Sequence, residues 1–255
     1  MSRSNRIVSL LAVSLPLLCS ALIFAEEKAR SDKNAVIIGA SSMDGLPELL
    51  QALSAASKTP MKVERGHYGP NDLKRLLSSE KAWDYVIMDA WQFKRGSTES
   101  PGFPDATAEF VKIFRDHSPK CQIILFPWWL PQNSATNEDV MKIFHDCVEA
   151  ARPHGIQVAT TGPAFQEARL ARSDLRITVG RQDAHPGIHG GYINACSLMA
   201  ILTDETPLGL PATLRAPGRK EFSIEVDDAK YLQELAWKVY QRELKHTKPT
   251  KADKD

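Results

Sequence analysis

Five short apolar runs alternating with helical patterns predict one α/β domain, a parallel sheet with helices on both faces. Two observations carry the prediction. Ala35–Ile38, Tyr85–Met88, Gln122–Phe126 and Ile156–Ala159 are mostly apolar stretches of strand length, and Met61–Glu64 alternates weakly. The segments between them repeat apolar residues at helical spacing, with Gly and Pro at the joins.

In chain order, Ala35–Ile38 ends at Gly39. The turn Gly39, Ala40, Ser41, Ser42 then feeds a helix from Leu46 to Ala56 that carries Leu46, Leu49, Leu50 and Leu53. Met61–Glu64 gives the second strand. Gly66–Pro70 is a loop, after which Asn71 or Asp72 caps a helix bearing Leu73, Leu76 and Leu77. Tyr85–Met88 lies between Asp84 and Asp89, and a Gly/Pro/Ser loop over 94–104 leads to a helix with Phe110, Val111 and Phe114 on its apolar side. Gln122–Phe126 stops at Pro127, directly before Trp128 and Trp129. Asn137 caps a helix in which Val140, Phe144, Cys147 and Ala151 recur at helical spacing, and Ile156–Ala159 follows as the fifth strand. Ile193–Leu202 reads as a core helix, Leu208–Arg219 as a Pro/Gly-rich surface excursion, and Asp227–Leu244 as a second strong helix.

The domain so defined runs over 35–245. Ahead of it, a basic stretch from Met1 to Arg6, an apolar stretch from Ile7 to Phe24 broken by Pro16, and Ala25 before Glu26 predict a signal peptide over 1–25. This implies a secreted or periplasmic protein with no stable membrane insertion after cleavage; the alternative is an uncleaved N-terminal anchor. Residues 26–34 are a polar leader and 246–255 a charged tail expected to be disordered. The formal charge of +1 gives no field for nucleic acid. Cys121, Cys147 and Cys196 sit in apolar contexts and read as buried thiols with at most one bridge.

An open parallel sheet binds ligands past the carboxyl ends of its strands. The residues falling there are Ser41 and Ser42, His67, Asp89 to Gln92, Trp128 and Trp129, and the loop Asp183–His189. A serine at a helix N-terminus lies where backbone N–H groups converge on a developing oxyanion, and His185 is a neutral-pH base the fold can bring to the same face. Their plainer roles are a helix cap for Ser41 and a hydrogen-bonded loop histidine for His185. His185 and His189 have helical metal-ligand spacing, but Pro186 and Gly187 break a helix between them, so no metal is expected. The Gly39–Ser42 turn lacks the Gly-Lys-Ser/Thr ending and the Gly-x-Gly-x-x-Gly spacing, so no nucleotide cofactor is expected either. Trp128 and Trp129 line an apolar or sugar-binding pocket, or close the core.

Three stretches together resemble the SGNH (GDSL-type) hydrolases, in particular an uncharacterised secreted bacterial branch of them. They are Gly39-Ala40-Ser41, Trp83-Asp84-Tyr85-Val86-Ile87, and the run from His185-Pro186-Gly187 through Gly190-Gly191-Tyr192 to Ala195. The resemblance implies a flavodoxin-like three-layer sandwich around a five-stranded parallel sheet. It also implies Ser41 as nucleophile, His185 as base, and a small-molecule or glycan ester as substrate. Two positions depart from the pattern. The family's acid lies three residues before the histidine, where this chain has Gln182, with Asp183 one residue nearer. The family's Gly-x-Asn-Asp block after strand three is replaced by Asp89-Ala90-Trp91-Gln92, and its glycine block is matched only by Gly66 or Gly69. Gln92 is the substitute oxyanion donor, and a carboxylate at Asp89 is harmful there unless protonated or turned away. Two readings follow: a secreted serine esterase or deacetylase, or a catalytically impaired relative that binds a carbohydrate against Trp128 and Trp129.

Overall fold

The computed structural model describes residues 32–90, 102–129, 136–180, 182–215 and 221–247. The signal peptide and most of the leader, the tail from 248 onward, and Gln92 lie outside the described residues. Five parallel strands, β1 (Lys33–Ile38), β2 (Met61–Gly66), β3 (Tyr85–Asp89), β4 (Gln122–Phe126) and β5 (Gln157–Val158), form one sheet in the order β2-β1-β3-β4-β5. This is the flavodoxin-like order, whose direction of winding reverses between β1 and β3. The helices are α1 (Leu46–Ala55), α2 (Pro70–Leu77), α3 (Gly102–His117), α4 (Asn137–Ala151), α5 (Thr161–Ala171), α6 (Ile188–Thr203) and α7 (Val226–Thr247). A two-stranded antiparallel ribbon, β6 (Thr213–Leu214) with β7 (Phe222–Ser223), lies between α6 and α7 in the chain.

The pleat explains the three layers. Successive strand residues point to opposite faces. Ala35, Ile37, Ile87, Ile124 and Phe126 therefore enter one core with α1, α5, α6 and α7. Val36, Ile38, Val86, Met88, Ile123 and Leu125 enter a second core with α2, α3 and α4. Every one of these strand residues is at most 3% exposed, which is why the strands read as apolar runs.

Several boundaries differ from the sequence expectation, each for a local reason. The N-cap of α2 is Gly69 with Pro70 opening the helix, so Asn71 and Asp72 lie inside its first turn. Asp72 instead accepts the backbone N–H of His67. The cap of α4 is Thr136, whose hydroxyl accepts from the Asp139 N–H while Asp139 accepts from the Thr136 N–H; this reciprocal box takes the place of the expected Asn137 cap. Helix α5 is not among the helices that the sequence predicts; Pro163 lies in its first turn, where a proline costs no hydrogen bond. Helix α6 begins at Ile188 rather than Ile193 and takes in Gly190 and Gly191. A Cβ at Gly190 would sit 2.0 Å from the Ile177 carbonyl oxygen and 2.7 Å from the Phe165 ring, so Gly190 marks close packing rather than a loop. Cys121, Cys147 and Cys196 are all unbridged thiols.

Candidate active site

Ser41 opens a short 3-10 turn, Ser41–Met43, immediately after β1. The turn uses the amides of Met43 and Asp44, which donate to Ala40 and Ser41. It does not use those of Ser41 and Ser42. Gly45, with φ of 82°, then redirects the chain into α1 as its cap. Ser41 caps no helix: the turn's own cap position is Ala40 and that of α1 is Gly45. The loop lies tightly against the end of β3. A Cβ at Gly39 would be 2.6 Å from Asp89 Cβ and 2.7 Å from Met43 Cγ, so only glycine fits.

Arg65, at the end of β2, fixes this loop from beneath. Its Nη2 donates to the carbonyls of Gly39 (2.9 Å) and Ala40 (2.6 Å) and to Asp44 Oδ1 (3.3 Å). Its Nη1 donates to the carbonyls of Gly66 (2.7 Å) and Ile37 (3.3 Å). The guanidinium is a planar fork that cannot lose its proton, so it gathers carbonyls at the ends of β1 and β2 and in the turn after β1. A single charged residue in a strand gave no sequence signal of this role.

The second half of the site comes from the loop between α5 and α6. An isolated bridge pairs Thr178 with Pro186, and Val179 N–H donates to the His185 carbonyl at 3.0 Å. Trp129 Nε1–H donates to the Ala184 carbonyl at 2.6 Å, tying this loop to the end of β4. A Cβ at Gly187 would lie 2.3 Å from the Arg176 carbonyl oxygen, so glycine is required where the loop turns into α6.

These constraints bring Ser41 Oγ to 2.9 Å from His185 Nε2 across 144 residues of sequence. The other ring nitrogen, Nδ1, is 2.6 Å from Asp183 Oδ1. The same oxygen accepts the backbone N–H of His185 at 2.8 Å. This tight turn resolves the departure at Gln182: a carboxylate two residues before the histidine reaches the ring when the backbone between them folds back. With Nδ1–H donating to Asp183, Nε2 is left to accept the Ser41 hydroxyl. The His185 backbone N–H, and then its ring, hold the Asp183 carboxyl below the usual carboxylate range. Ser41 and His185 are both exposed.

Beside them is a cavity of about 120 Å³ walled by Ser41, His185, Asp89, Phe126, Trp128 and Trp129. Asp89 is 1% exposed, and its Oδ2 accepts the Ala40 N–H at 3.2 Å. It thus braces the serine loop and does not donate to an oxyanion. Tyr68 donates to the Asp89 carbonyl at 2.5 Å, and burial pushes its phenol up. Trp128 and Trp129 are 4% and 3% exposed, and Trp129 stacks on Phe165 at 4.1 Å between centroids. Both indoles wall the cavity and are buried, so pocket lining and core closure hold together for this pair.

The remaining candidates sit elsewhere. Gly66 meets the serine loop through its carbonyl, which accepts the Gly39 N–H at 3.3 Å. Gly69 is exposed at the start of α2, and His67 is exposed beside it. His189 is inside α6, where Nδ1 accepts the Arg176 N–H at 2.9 Å and Nε2 lies 3.4 Å from Asp228 Oδ2. It shares no partner with His185. No cluster of His, Cys, Asp and Glu suited to a metal ion occurs among the described residues.

No protein-family model matches the sequence, and no curated protein matches it. Solved structures do. A DUF4886 family protein from Bacteroides uniformis ATCC 8492 superposes with a TM-score of 0.59 at 19% identity, covering 83% of this chain and 95% of that one. A member of the lipolytic protein G-D-S-L family from Veillonella parvula DSM 2008 superposes with a TM-score of 0.51 at 12% identity, covering 68% of this chain and 100% of that one. The chain therefore carries the α/β fold seen in a lipolytic G-D-S-L protein.

Proposed function

We propose that the protein is a serine ester hydrolase of the SGNH type, acting on short acyl esters outside the cytoplasm. The observation that carries the reading is the unbroken chain from Ser41 Oγ through both nitrogens of His185 to Asp183. In this reading the Ser41 oxygen attacks the ester carbonyl carbon as its proton passes to His185 Nε2. Asp183 stabilises the imidazolium that forms, without itself taking the proton. The carbonyl oxygen, now negative, faces the Ser41 and Ser42 amides that the 3-10 turn leaves unused. As the tetrahedral centre collapses, the bond to the alcohol oxygen breaks and the alcohol departs with the proton from Nε2. Water then repeats the sequence on the acyl-serine, releasing the acid and restoring Ser41.

The placement of Asp89 supports this reading over an impaired carbohydrate binder. Its carboxylate is engaged by the Ala40 amide, and the buried indoles offer no open stacking surface. The small cavity argues for a short acyl group. A cavity of about 150 Å³ just holds benzene, and this one measures about 120 Å³. The extracytoplasmic placement rests on the signal-like residues 1–25.

The test is hydrolysis of 4-nitrophenyl acetate and 4-nitrophenyl octanoate by the chain beginning at Glu26. The expected result is turnover that favours the acetate and falls at least about 10³-fold in Ser41→Ala. Turnover that survives that substitution would sink the proposal.

A further inference from the structure

A second cavity, of about 280 Å³, lies against the turn that follows Ser41, with Ser42, Asp44 and Gly45 in its wall. Ser42 lines both cavities, and Pro186 and Gly187, which follow the histidine, line the larger one. The two cavities therefore adjoin at Ser42, the smaller lined by Ser41 and His185 and the larger by the residues that follow each of them. The larger is walled by Leu49 of α1, Ile188 of α6, and Leu214 and Phe222 of the β6–β7 ribbon.

Ser42, Asp44 and Glu48 also line it, and one further polar atom is unusual. Asn194, two turns into α6, borders the cavity and is 1% exposed. Its Oδ1 has no hydrogen-bond partner among the described residues. A buried acceptor left without a donor costs about 1–3 kcal/mol, which an apolar side chain of the same shape would not. Natural structures carry few such groups, and each calls for an explanation. A ligand that brings a donor to this oxygen supplies one.

We infer that this larger cavity seats the alcohol part of the ester, and that the alcohol is a ring-sized apolar group bearing one hydrogen-bond donor at its inner end, held by Asn194. The inference rests on the esterase reading for the identity of the ligand, and the observations narrow that reading in two ways. The volume is nearly twice the roughly 150 Å³ that accepts a benzene ring, so a ring with a substituent fits. The unpaired Asn194 oxygen calls for a donor at that point. The substrate class is thus a short-chain acyl ester of a phenol-bearing or similar cyclic alcohol.

The experiment measures binding apart from hydrolysis. 4-Hydroxybenzyl alcohol and 4-methylbenzyl alcohol differ by a hydroxyl for a methyl. Each is titrated into the full chain, wild type and Asn194→Leu, and followed by NMR shifts of side-chain methyl and amide groups. The expected result is about tenfold tighter binding of the hydroxyl compound by wild type, with shifts at Asn194 and Ile188. The Asn194→Leu chain, which loses a buried unpaired oxygen and so keeps its fold, is expected to bind the two equally. Equal binding by wild type, shifts confined to other parts of the molecule, or no binding would each overturn the inference. Acetate esters of the same alcohols then separate the two proposals. Selective binding without any ester hydrolysis would leave the cavity assignment standing and remove the esterase reading. Hydrolysis that ignores the para substituent would do the reverse.

Discussion

Two histidines four residues apart have opposite fates. His185 stands in a loop with half its side chain exposed, while the His189 side chain is 13% exposed inside α6. His185 joins Ser41 to Asp183. His189 joins Arg176, before the loop, to Asp228 on α7. Pro186 and Gly187 separate them: the first ends the loop's bridge to Thr178, and the second turns the chain under Arg176 into the helix. The comparison teaches that the partners decide: an exposed imidazole set between a carboxylate and a serine hydroxyl beside a cavity is placed to move a proton, whereas one set between a backbone N–H and a carboxylate inside the fold is a brace.

The largest test of that difference is His185→Ala. Ester hydrolysis is expected to fall about 10³–10⁴-fold while the melting temperature stays within a few degrees of wild type, because the lost ring is exposed. Near-normal turnover in a folded His185→Ala chain would break the comparison. Asp183→Asn is expected to fall between, losing about 10²–10³-fold in kcat with little change in KM, since the amide no longer stabilises the imidazolium; a change confined to KM would instead make Asp183 a substrate contact. His189→Leu is expected to act on the other axis. It leaves the Arg176 N–H without its acceptor and should cost about 1–2 kcal/mol, a fall of roughly 2–6 °C in Tm, with kcat within about threefold of wild type. A loss of kcat as deep as that of His185→Ala would place His189 in the reaction.

The smallest effect is in acid. The Asp183 pKa lies below its ordinary value in the folded chain, chiefly through the His185 backbone N–H and then through the ring. A depressed carboxyl pKa stabilises the fold above the unfolded value, about 3.9, and that contribution is lost as pH falls through the folded value. The Tm difference between wild type and Asp183→Asn is therefore expected to shrink between pH 6 and pH 3. A difference that widens in acid would mean the carboxylate is not held by His185.

Much of this was legible in the sequence because parallel strands are buried on both faces and so read as apolar runs. That alone placed Ser41 past β1 and Trp128 and Trp129 past β4, and the Gly/Pro-rich loop drew attention to His185. The acid was harder. Gln182 occupies the expected position, and only the fold-back that lets one Asp183 oxygen take both the backbone and ring N–H of His185 makes the nearer residue serve. Arg65 was invisible, because its five acceptors are mostly backbone carbonyls gathered from β1, β2 and the serine loop. Gly190 and Gly191 misled in the same way: both fell outside the helix read from Ile193, while Gly190 packs against Ile177 and Phe165 and Gly191 lies in the first turn of α6. Asn194 looked like one polar residue in a core helix, and its meaning depends on a cavity that only the assembled fold encloses.

The central claim is that the Ser41–His185 contact activates the serine. The most direct measurement is covalent labelling with a fluorophosphonate, with the modified residue located by mass spectrometry, in wild type, His185→Ala and His189→Leu. The account predicts an adduct on Ser41 in wild type and His189→Leu, and its loss in His185→Ala. An unlabelled wild-type chain that is folded, or a Ser41 adduct that forms as fast without His185, would contradict it.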